Sequence, residues 1–220
     1  MKNYKTVLFD FDGTILNTYT PIKNSMVHAM RELFGFEFPP DTDFSKYIGP
    51  PLKYNFEVAL GLPEPEAQRA SVAYRDYYNN VAAFQGELYP GIREMLFSLH
   101  AAKGIRLGIA SSKAVDIIEV LLRHDGIFDC FDCISGLRYV GDLSTKTDAI
   151  ERAVSMMQAD KRELLMVGDR VYDSEGALNA GVDFAAALWG FGPRAEFEPY
   201  PCALYAVTPP DISHFVLEER

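Results

Sequence analysis

Two aspartates directly follow the first apolar run of the chain, in the stretch TVLFDFDGTILNT at residues 6–18. The run 6–9 is typical of a buried strand, and Asp10 and Asp12 stand two residues apart just after it. Residues at i and i+2 of an extended chain point to the same side, so the two carboxylates would repel each other. The pair therefore predicts a bound metal ion, a phosphate-handling site, or both, at the end of this strand.

The elements that must position these acids alternate between strand and helix. Near-continuous apolar runs are typical of a parallel sheet that is covered on both faces; they occur at 4–9, 105–110, 130–134, 164–167 and 184–188. Segments of helical length with one apolar face lie between them, at 90–104, 112–126 and 144–160. The last of these has Ser144 or Thr145 as its expected N-cap. The alternation predicts an α/β fold, a doubly wound parallel sheet with a Rossmann-like core.

One long segment after the first strand breaks this alternation, because it contains no convincing strand. Three helices are expected there, at 21–34, 52–60 and 65–83. The segment is too long for a single crossover connection between neighbouring strands. We therefore predict an α/β catalytic core and a helical cap domain inserted after the first strand, with the core at 1–16 and 86–220 and the cap at 17–85.

Further candidate residues follow the other apolar runs. Ligands of open α/β sheets bind beyond the carboxyl ends of the strands, so residues at those positions can converge on one crevice. Ser111 follows the second run, Lys146 opens the helix before the fourth run, and Asp169 and Asp173 follow the fourth run in VGDRVYD. Four carboxylates beside one lysine are tenable only with a divalent cation, and hard oxygen ligands with room for water suit Mg²⁺.

Each candidate also has a simpler interpretation. The first two acids could mark a solvated strand end, and Asp169 and Asp173 could cap the helix that follows them. Ser112 is a direct competitor of Ser111, and Lys113 competes with Lys146 for the role of the site lysine. We prefer Lys146 because it lies between the third and fourth strands.

Together the four motifs resemble those of the haloacid dehalogenase superfamily of phosphohydrolases. DFDGT matches the first motif, Ser111 the second, Lys146 the third and GDRVYD the fourth, in the order of the family and across nearly the whole chain. The helical insert has the position of the family's cap. Within the superfamily the chain is most similar to phosphoglycolate phosphatase-like and 5′-nucleotidase-like members, and WGFG at 189–192 fits that group.

The resemblance implies a phosphatase that acts on a small soluble phosphate ester. Asp10 would be the nucleophile that forms an aspartyl-phosphate, and Asp12 the general acid and later the base. Ser111 and Lys146 would hold the phosphoryl oxygens. Phosphoglycolate, nucleoside monophosphates and pyrophosphate are the candidate substrates. The implied ligands of Mg²⁺ are Asp10, Asp12 through its backbone carbonyl, Asp169, and Asp173 directly or through water.

Other functions remain as alternatives. A phosphomutase would use the same residues and pass the phosphoryl group to a sugar hydroxyl, whereas a dehalogenase needs no second acid at Asp12. A signalling receiver domain also clusters aspartates, but its acceptor follows the third strand. A family member without catalysis would be a binding module, yet all four motif positions are filled.

Composition excludes several other classes of protein. The 220 residues carry a formal net charge of −10, which disfavours nucleic acid as a partner. No apolar stretch approaches the roughly 20 residues that span a bilayer, and no signal peptide is evident, so we expect a soluble cytoplasmic protein without a membrane partner. Cys130 and Cys133 have CxxC spacing but lack further zinc ligands; a redox pair is conceivable, and two part-buried residues leading into a strand are expected.

Overall fold

The computed structural model describes residues 3–138, 142 and 145–218, and the chain divides into two compact units. One unit consists of Met1–Leu16 and Leu88–Arg220, and the other of Asn17–Glu87. The second unit is therefore inserted into the sequence of the first. Its limits differ from the expected segment 17–85 by two residues at the C-terminal end.

The first unit is built on a sheet of six parallel strands. The described residues form eight strands, in chain order β1 Thr6–Phe9, β2 Leu16–Asn17, β3 Glu87–Leu88, β4 Arg106–Ala114, β5 Cys133–Leu137, β6 Leu164–Gly168, β7 Asp183–Ala187 and β8 Leu204–Ala206. The large sheet has the order β5-β4-β1-β6-β7-β8, and β2 pairs with β3 separately, at the two chain junctions. Phe9 lies opposite Ile109 of β4 on one side and Val167 of β6 on the other. Strand β1 therefore ends in the middle of the sheet, one residue before the end of β6 and beside the interior of the longer β4.

In the part of the chain that the structure describes, eight α-helices accompany the strands: α1 Tyr19–Phe34, α2 Leu52–Tyr54, α3 Glu64–Tyr77, α4 Ile92–Ala101, α5 Val115–His124, α6 Lys146–Met157, α7 Val171–Ala180 and α8 Pro209–Glu218. In the first unit, α4 packs against α8, and α6 packs against α7. The strand order runs outward from β1 in both directions, which is the arrangement of a doubly wound sheet. The predicted fold class is confirmed. Among the described residues, no helix has the combined length and apolarity that crossing a membrane requires.

The core that fixes the strand ends lies between the sheet and helices α6 and α7. Leu8, Met166 and Phe184 contribute from the strands, and Ile150 and Ala177 from the helices, all of them buried. Burying one large apolar side chain stabilises a fold by about 1.5–3 kcal/mol. The strands and the starts of both helices are thus held together by a shared apolar cluster.

The inserted unit has an apolar core of its own. Helices α1 and α3 pack against each other, with Met30, Phe56 and Ala67 buried between the elements of this unit. The rings of His28 and Tyr77 stack with their centroids 4.1 Å apart. The three helices expected here are present, and the α-helical part of the second is short because a π-helix follows it over Asn55–Ala59.

The structure differs from the expected elements at several places. The apolar patterns of the sequence predict neither strand β8 nor helix α8. Strand β8 has only three residues, too few for an alternating pattern to indicate a strand. Strand β5 begins at Cys133 rather than at residue 130, with both Cys130 and Cys133 buried as free thiols. Strand β4 continues to Ala114, past the expected end at 110, and its register with β5 shifts after Ala110.

Candidate active site

Asp10 lies directly beyond the end of β1, in the centre of the sheet. Its backbone N–H donates a hydrogen bond to the carbonyl of Val167 at 2.9 Å, which continues the pairing of β1 with β6. The Asp10 side chain is buried, whereas that of Asp12 is partly exposed. The chain then turns at Gly13, which has a φ of +86°, in the region that glycine adopts readily.

Lys146 is the first residue of α6, and a capping box fixes the start of that helix. Thr145 Oγ1 accepts a hydrogen bond from the backbone N–H of Asp148 at 3.2 Å, and the Asp148 carboxylate accepts one from the N–H of Thr145 at 2.9 Å. Thr145 is therefore the N-cap; Ser144, the other expected candidate, lies outside the described residues. The cap sets the register of the helix that carries Lys146 toward the end of β1.

The Lys146 ammonium bridges two aspartates. Its Nζ atom lies 2.7 Å from Asp10 Oδ1 and 2.9 Å from Asp173 Oδ1, and it donates a longer hydrogen bond to the carbonyl of Ala110 at 3.4 Å. Asp173 Oδ2 accepts the backbone N–H of Arg170 at 3.0 Å and so also caps helix α7. The capping role and the site role of Asp173 are compatible, because each uses a different carboxylate oxygen.

Asp169 is completely buried and held from two sides. Its Oδ1 accepts a hydrogen bond from Thr14 Oγ1 at 3.0 Å, and its Oδ2 accepts the backbone N–H of Phe191 at 2.9 Å. The indole N–H of Trp189 donates to the carbonyl of Thr14 at 3.0 Å. A Cβ atom on Gly13 would lie 2.2 Å from Asp169 Oδ2, so only glycine fits at this position without displacing the carboxylate.

Asp10, Asp169 and Asp173 form a buried group of carboxylates that could hold a divalent cation. One oxygen from each lies within 4.8 Å of the others. Asp10 Oδ1 and Asp173 Oδ1 are buried and receive no well-directed hydrogen bond from the described residues, although the Lys146 ammonium is within ion-pair distance of both. Unmatched buried oxygens among hard ligands are what a divalent cation would satisfy.

Burial and neighbouring charges change the pKa values of Asp169, Asp173 and Lys146. Burial, and then the charges of Asp173 and Asp10, raise the pKa of Asp169 well above its usual range. Burial also raises the pKa of Asp173 to about 6, against the lowering effect of Lys146. For Lys146, burial alone would lower the pKa, but the two neighbouring carboxylates raise it above the ordinary lysine value. Three buried carboxylates thus face a single buried ammonium, a charge balance that a divalent cation would correct.

Ser111 lies within β4, where the register with β5 changes. Its side chain is buried, and its Oγ accepts a hydrogen bond from the backbone N–H of Lys113 at 3.3 Å. The Lys113 ammonium lies 3.1 and 3.2 Å from the two carboxylate oxygens of Asp12. Two residues that the sequence offered as alternatives are therefore both present, with Lys146 beside Asp10 and Lys113 beside Asp12.

The structure thus separates the two acids of the first motif. The Asp12 carboxylate is outside the three-carboxylate group and pairs with Lys113 instead. In the sequence alone, Lys113 is only a rival of Lys146 for the role of the site lysine. The sequence feature that could have identified Lys113 is the pair Asp10 and Asp12. Two carboxylates with different roles each need a neighbouring cation when they are removed from water.

The chain is similar to several known proteins. The chain is 36% identical over 191 residues to Tyrosine-protein kinase PtkA of Mycobacterium tuberculosis, a match that covers 87% of this chain but only 64% of that protein. It is 28% identical over 199 residues to Pyrophosphatase PpaX of Bacillus cereus, covering 89% of this chain and 88% of that one. A solved structure described as a predicted phosphatase from Clostridium acetobutylicum is similar with a TM-score of 0.90 and 31% identity, over 98% of this chain and 99% of the other.

The family comparison covers most of the α/β unit and all of the inserted one. The family described as haloacid dehalogenase-like hydrolase matches residues 7–187, which include every site residue named above except Trp189 and Phe191. The predicted resemblance is confirmed: the chain belongs to the haloacid dehalogenase-like hydrolases.

Proposed function

We propose that this protein is a Mg²⁺-dependent phosphatase that hydrolyses a small soluble phosphate monoester through an aspartyl-phosphate on Asp10. The single observation that supports this most is the buried group of Asp10, Asp169 and Asp173 with the Lys146 ammonium between two of its members. Phosphoryl transfer needs positioning and charge stabilisation above all, and this group offers both at the end of one strand.

In the first step Asp10 attacks phosphorus. A bond forms between an Asp10 carboxylate oxygen and phosphorus, and the bond between phosphorus and the leaving oxygen breaks. The charge of the transition state is spread over the phosphoryl oxygens, to which Lys146 and Ser111 would donate hydrogen bonds. Both donors are buried, so these hydrogen bonds would be stronger than the same contacts in water.

Asp12 is the residue that we assign to proton transfer. It would protonate the leaving oxygen in the first step and accept a proton from the attacking water in the second, which cleaves the aspartyl-phosphate and restores Asp10. Its partly exposed carboxylate, outside the three-carboxylate group, supports a role distinct from that of Asp10.

The proposed ligands of Mg²⁺ are the carboxylates of Asp10, Asp169 and Asp173 and the backbone carbonyl of Asp12. When bound, the ion would supply positive charge against the phosphoryl oxygens. The hydrogen bonds from Thr14 and Phe191 would fix the orientation of Asp169 as a ligand.

The substrate candidates are phosphoglycolate, nucleoside monophosphates and pyrophosphate. The similarity to Pyrophosphatase PpaX supports pyrophosphate as one of them. We propose that the inserted unit Asn17–Glu87 acts as a cap that excludes water during the reaction, and we expect the enzyme to act in the cytoplasm.

An alternative is a phosphomutase, which would pass the phosphoryl group from Asp10 to a sugar hydroxyl. The similarity to a protein named as a tyrosine kinase is a specific reason to consider acceptors other than water. Both reactions would share the residues above and differ only in the acceptor.

The test is phosphate release from a panel of small phosphate esters, with and without Mg²⁺. We expect release that depends on Mg²⁺ and that Asp10→Asn lowers roughly 1000-fold or more, because the nucleophile is lost. Asp160→Asn is the matched control, since Asp160 is an exposed aspartate before β6, at the opposite end of that strand from the site.

Two results would count against the proposal. Equal release by wild type and Asp10→Asn would exclude Asp10 as the nucleophile. Failure of the wild type to release phosphate from any ester, with isomerisation of a sugar phosphate, would favour the mutase.

A further inference from the structure

Lys113 is a second cation at the site, partly buried, on the side of Asp12. Its side chain is 9% exposed, and its Nζ atom lies 3.1 Å from Asp12 Oδ1 and 3.2 Å from Oδ2. The same ammonium lies 5.9 Å from the centre of the Phe11 ring. The position of Lys113 is distinct from that of Lys146, which contacts Asp10 and Asp173.

The proposed reaction places the leaving group next to Lys113. Asp12 must come within hydrogen-bond distance of the leaving oxygen to protonate it, about 2.5–3.0 Å. Since Lys113 Nζ contacts both oxygens of that carboxylate, it lies within about 6 Å of the leaving oxygen. An anionic group one or two bonds beyond that oxygen can therefore reach the ammonium directly.

The positive charge of Lys113 would stabilise an anionic leaving group. A leaving group with its own negative charge would be repelled by the carboxylate of Asp10, and by that of Asp12 once Asp12 has given up its proton. Lys146 is already within ion-pair distance of two aspartates and is expected to serve the phosphoryl oxygens. Lys113, beside Asp12, is placed to offset repulsion at the leaving group.

We infer that Lys113 forms a subsite for an anionic leaving group, so that the preferred substrates are phosphate esters or anhydrides whose leaving group carries a carboxylate or a phosphate. This inference rests on the proposed phosphatase function and narrows its substrate class. Among the candidates, phosphoglycolate and pyrophosphate have such leaving groups, whereas the nucleoside of a nucleoside monophosphate is uncharged.

The test compares substrates that differ only in the charge of the leaving group. Phosphoglycolate and 2-hydroxyethyl phosphate share a two-carbon leaving group that ends in a carboxylate or in a hydroxymethyl group. For wild type we expect kcat/KM to be higher for the anionic member by roughly 10- to 100-fold, the size expected of one charge-assisted hydrogen bond. Lys113→Met should bring the ratio close to one.

Two further variants make the comparison specific. Lys113→Arg keeps a positive charge and should retain a preference for the anionic substrate. Lys161→Met removes an exposed lysine that pairs with Glu151, and it should leave the ratio unchanged. The experiment compares the ratio of the two kcat/KM values rather than either value alone. Loss of the contact between Lys113 and Asp12 can also lower kcat/KM for both substrates.

The possible outcomes separate this inference from the phosphatase proposal. A wild-type ratio near one, or a Lys113→Met variant that slows both substrates equally and keeps the ratio, would overturn the subsite while leaving the phosphatase intact. If Lys113→Met does not fold, Lys113→Gln, which keeps a polar side chain without the charge, takes its place in the comparison. A wild type that hydrolyses neither substrate but releases phosphate from another ester of the panel would overturn the subsite alone, whereas no release from any ester would overturn the proposed function and the subsite together.

Discussion

Gly13, in the first motif, lies directly against the buried carboxylate of Asp169. Two constraints meet at this residue: a positive φ of +86° and a hypothetical Cβ only 2.2 Å from Asp169 Oδ2. Gly181 has a similar φ of +70° but nothing within 4 Å of its hypothetical Cβ. The two glycines therefore share the backbone strain that a side chain would cause, and only Gly13 adds a steric conflict with the site.

Comparing alanine at these two positions isolates that conflict. We expect Gly181→Ala to lower the free energy of unfolding by about 1–2 kcal/mol and to leave activity nearly unchanged, because only the left-handed backbone is strained. Gly13→Ala should be destabilised further and should lose most of its activity, because Asp169 must move. Denaturant unfolding and phosphate-release rates measure the two effects. Equal activity in the two variants would show that the position of Asp169 is unimportant for the reaction.

The placement of individual site residues could be predicted from sequence only up to a point. Asp10, Asp169 and Asp173 follow strands whose ends must meet, so their proximity follows from the topology. The partner of Asp12 could not be predicted in the same way. Ser111, Ser112 and Lys113 are adjacent, and which of them reaches the site depends on the register shift in β4, which no apolar pattern reveals.

At the scale of elements, the start of α6 determines where Lys146 lies. Thr145→Ala removes the side-chain oxygen that accepts the N–H of Asp148, and we expect it to destabilise the protein by about 1 kcal/mol. Because Lys146 follows the cap directly, fraying of this turn should also lower kcat/KM. Chemical denaturation and steady-state kinetics on the best ester of the panel would measure both changes.

Asp160→Ala is the control for this prediction. Asp160 also accepts a backbone N–H at the start of a short helix, Lys161–Glu163, but that helix precedes β6 and lies at the opposite end of the strand from the site. It should affect activity far less than Thr145→Ala. If both variants retain full activity, the cap of α6 is not needed to position Lys146.

The elements that sequence predicted well are those with long apolar patterns. Strands β1, β6 and β7 match apolar runs to within two residues, and β4 begins with one, because both faces of these strands are covered; the helices between them have one clear apolar face. Strand β8 has three residues and follows a stretch rich in turn-forming residues, so its pairing with β7 depends on tertiary contacts that local pattern does not encode.

At the scale of the whole molecule, the site draws on segments far apart in sequence but within one unit. Asp10, Ser111, Lys146, Asp169 and Asp173 all belong to the unit Met1–Leu16 with Leu88–Arg220. A cation bound by the first, fourth and fifth of these would connect the end of β1 to the segment between β6 and α7. Such a ligand binds only the folded chain, so its binding free energy adds to the stability of the unit.

Mg²⁺ should therefore raise the melting temperature of the metal-free protein. At a concentration 100 times the dissociation constant, the gain is about 2.7 kcal/mol, and a protein of this size should then melt roughly 5–10 °C higher. Trp189, the single tryptophan of the chain, donates to the Thr14 carbonyl beside Asp169 and offers a fluorescence signal of the site during melting.

The variants Asp169→Asn and Asp160→Asn distinguish binding at this site from general screening of the net charge of −10. Asp169→Asn should lose the increase because it removes one of the three buried carboxylates, whereas the exposed Asp160→Asn should keep it. NaCl at the same ionic strength controls for screening, which acts on all surface charges alike. An equal increase with NaCl, or in Asp169→Asn, would mean that the stabilisation does not come from a cation held by Asp10, Asp169 and Asp173.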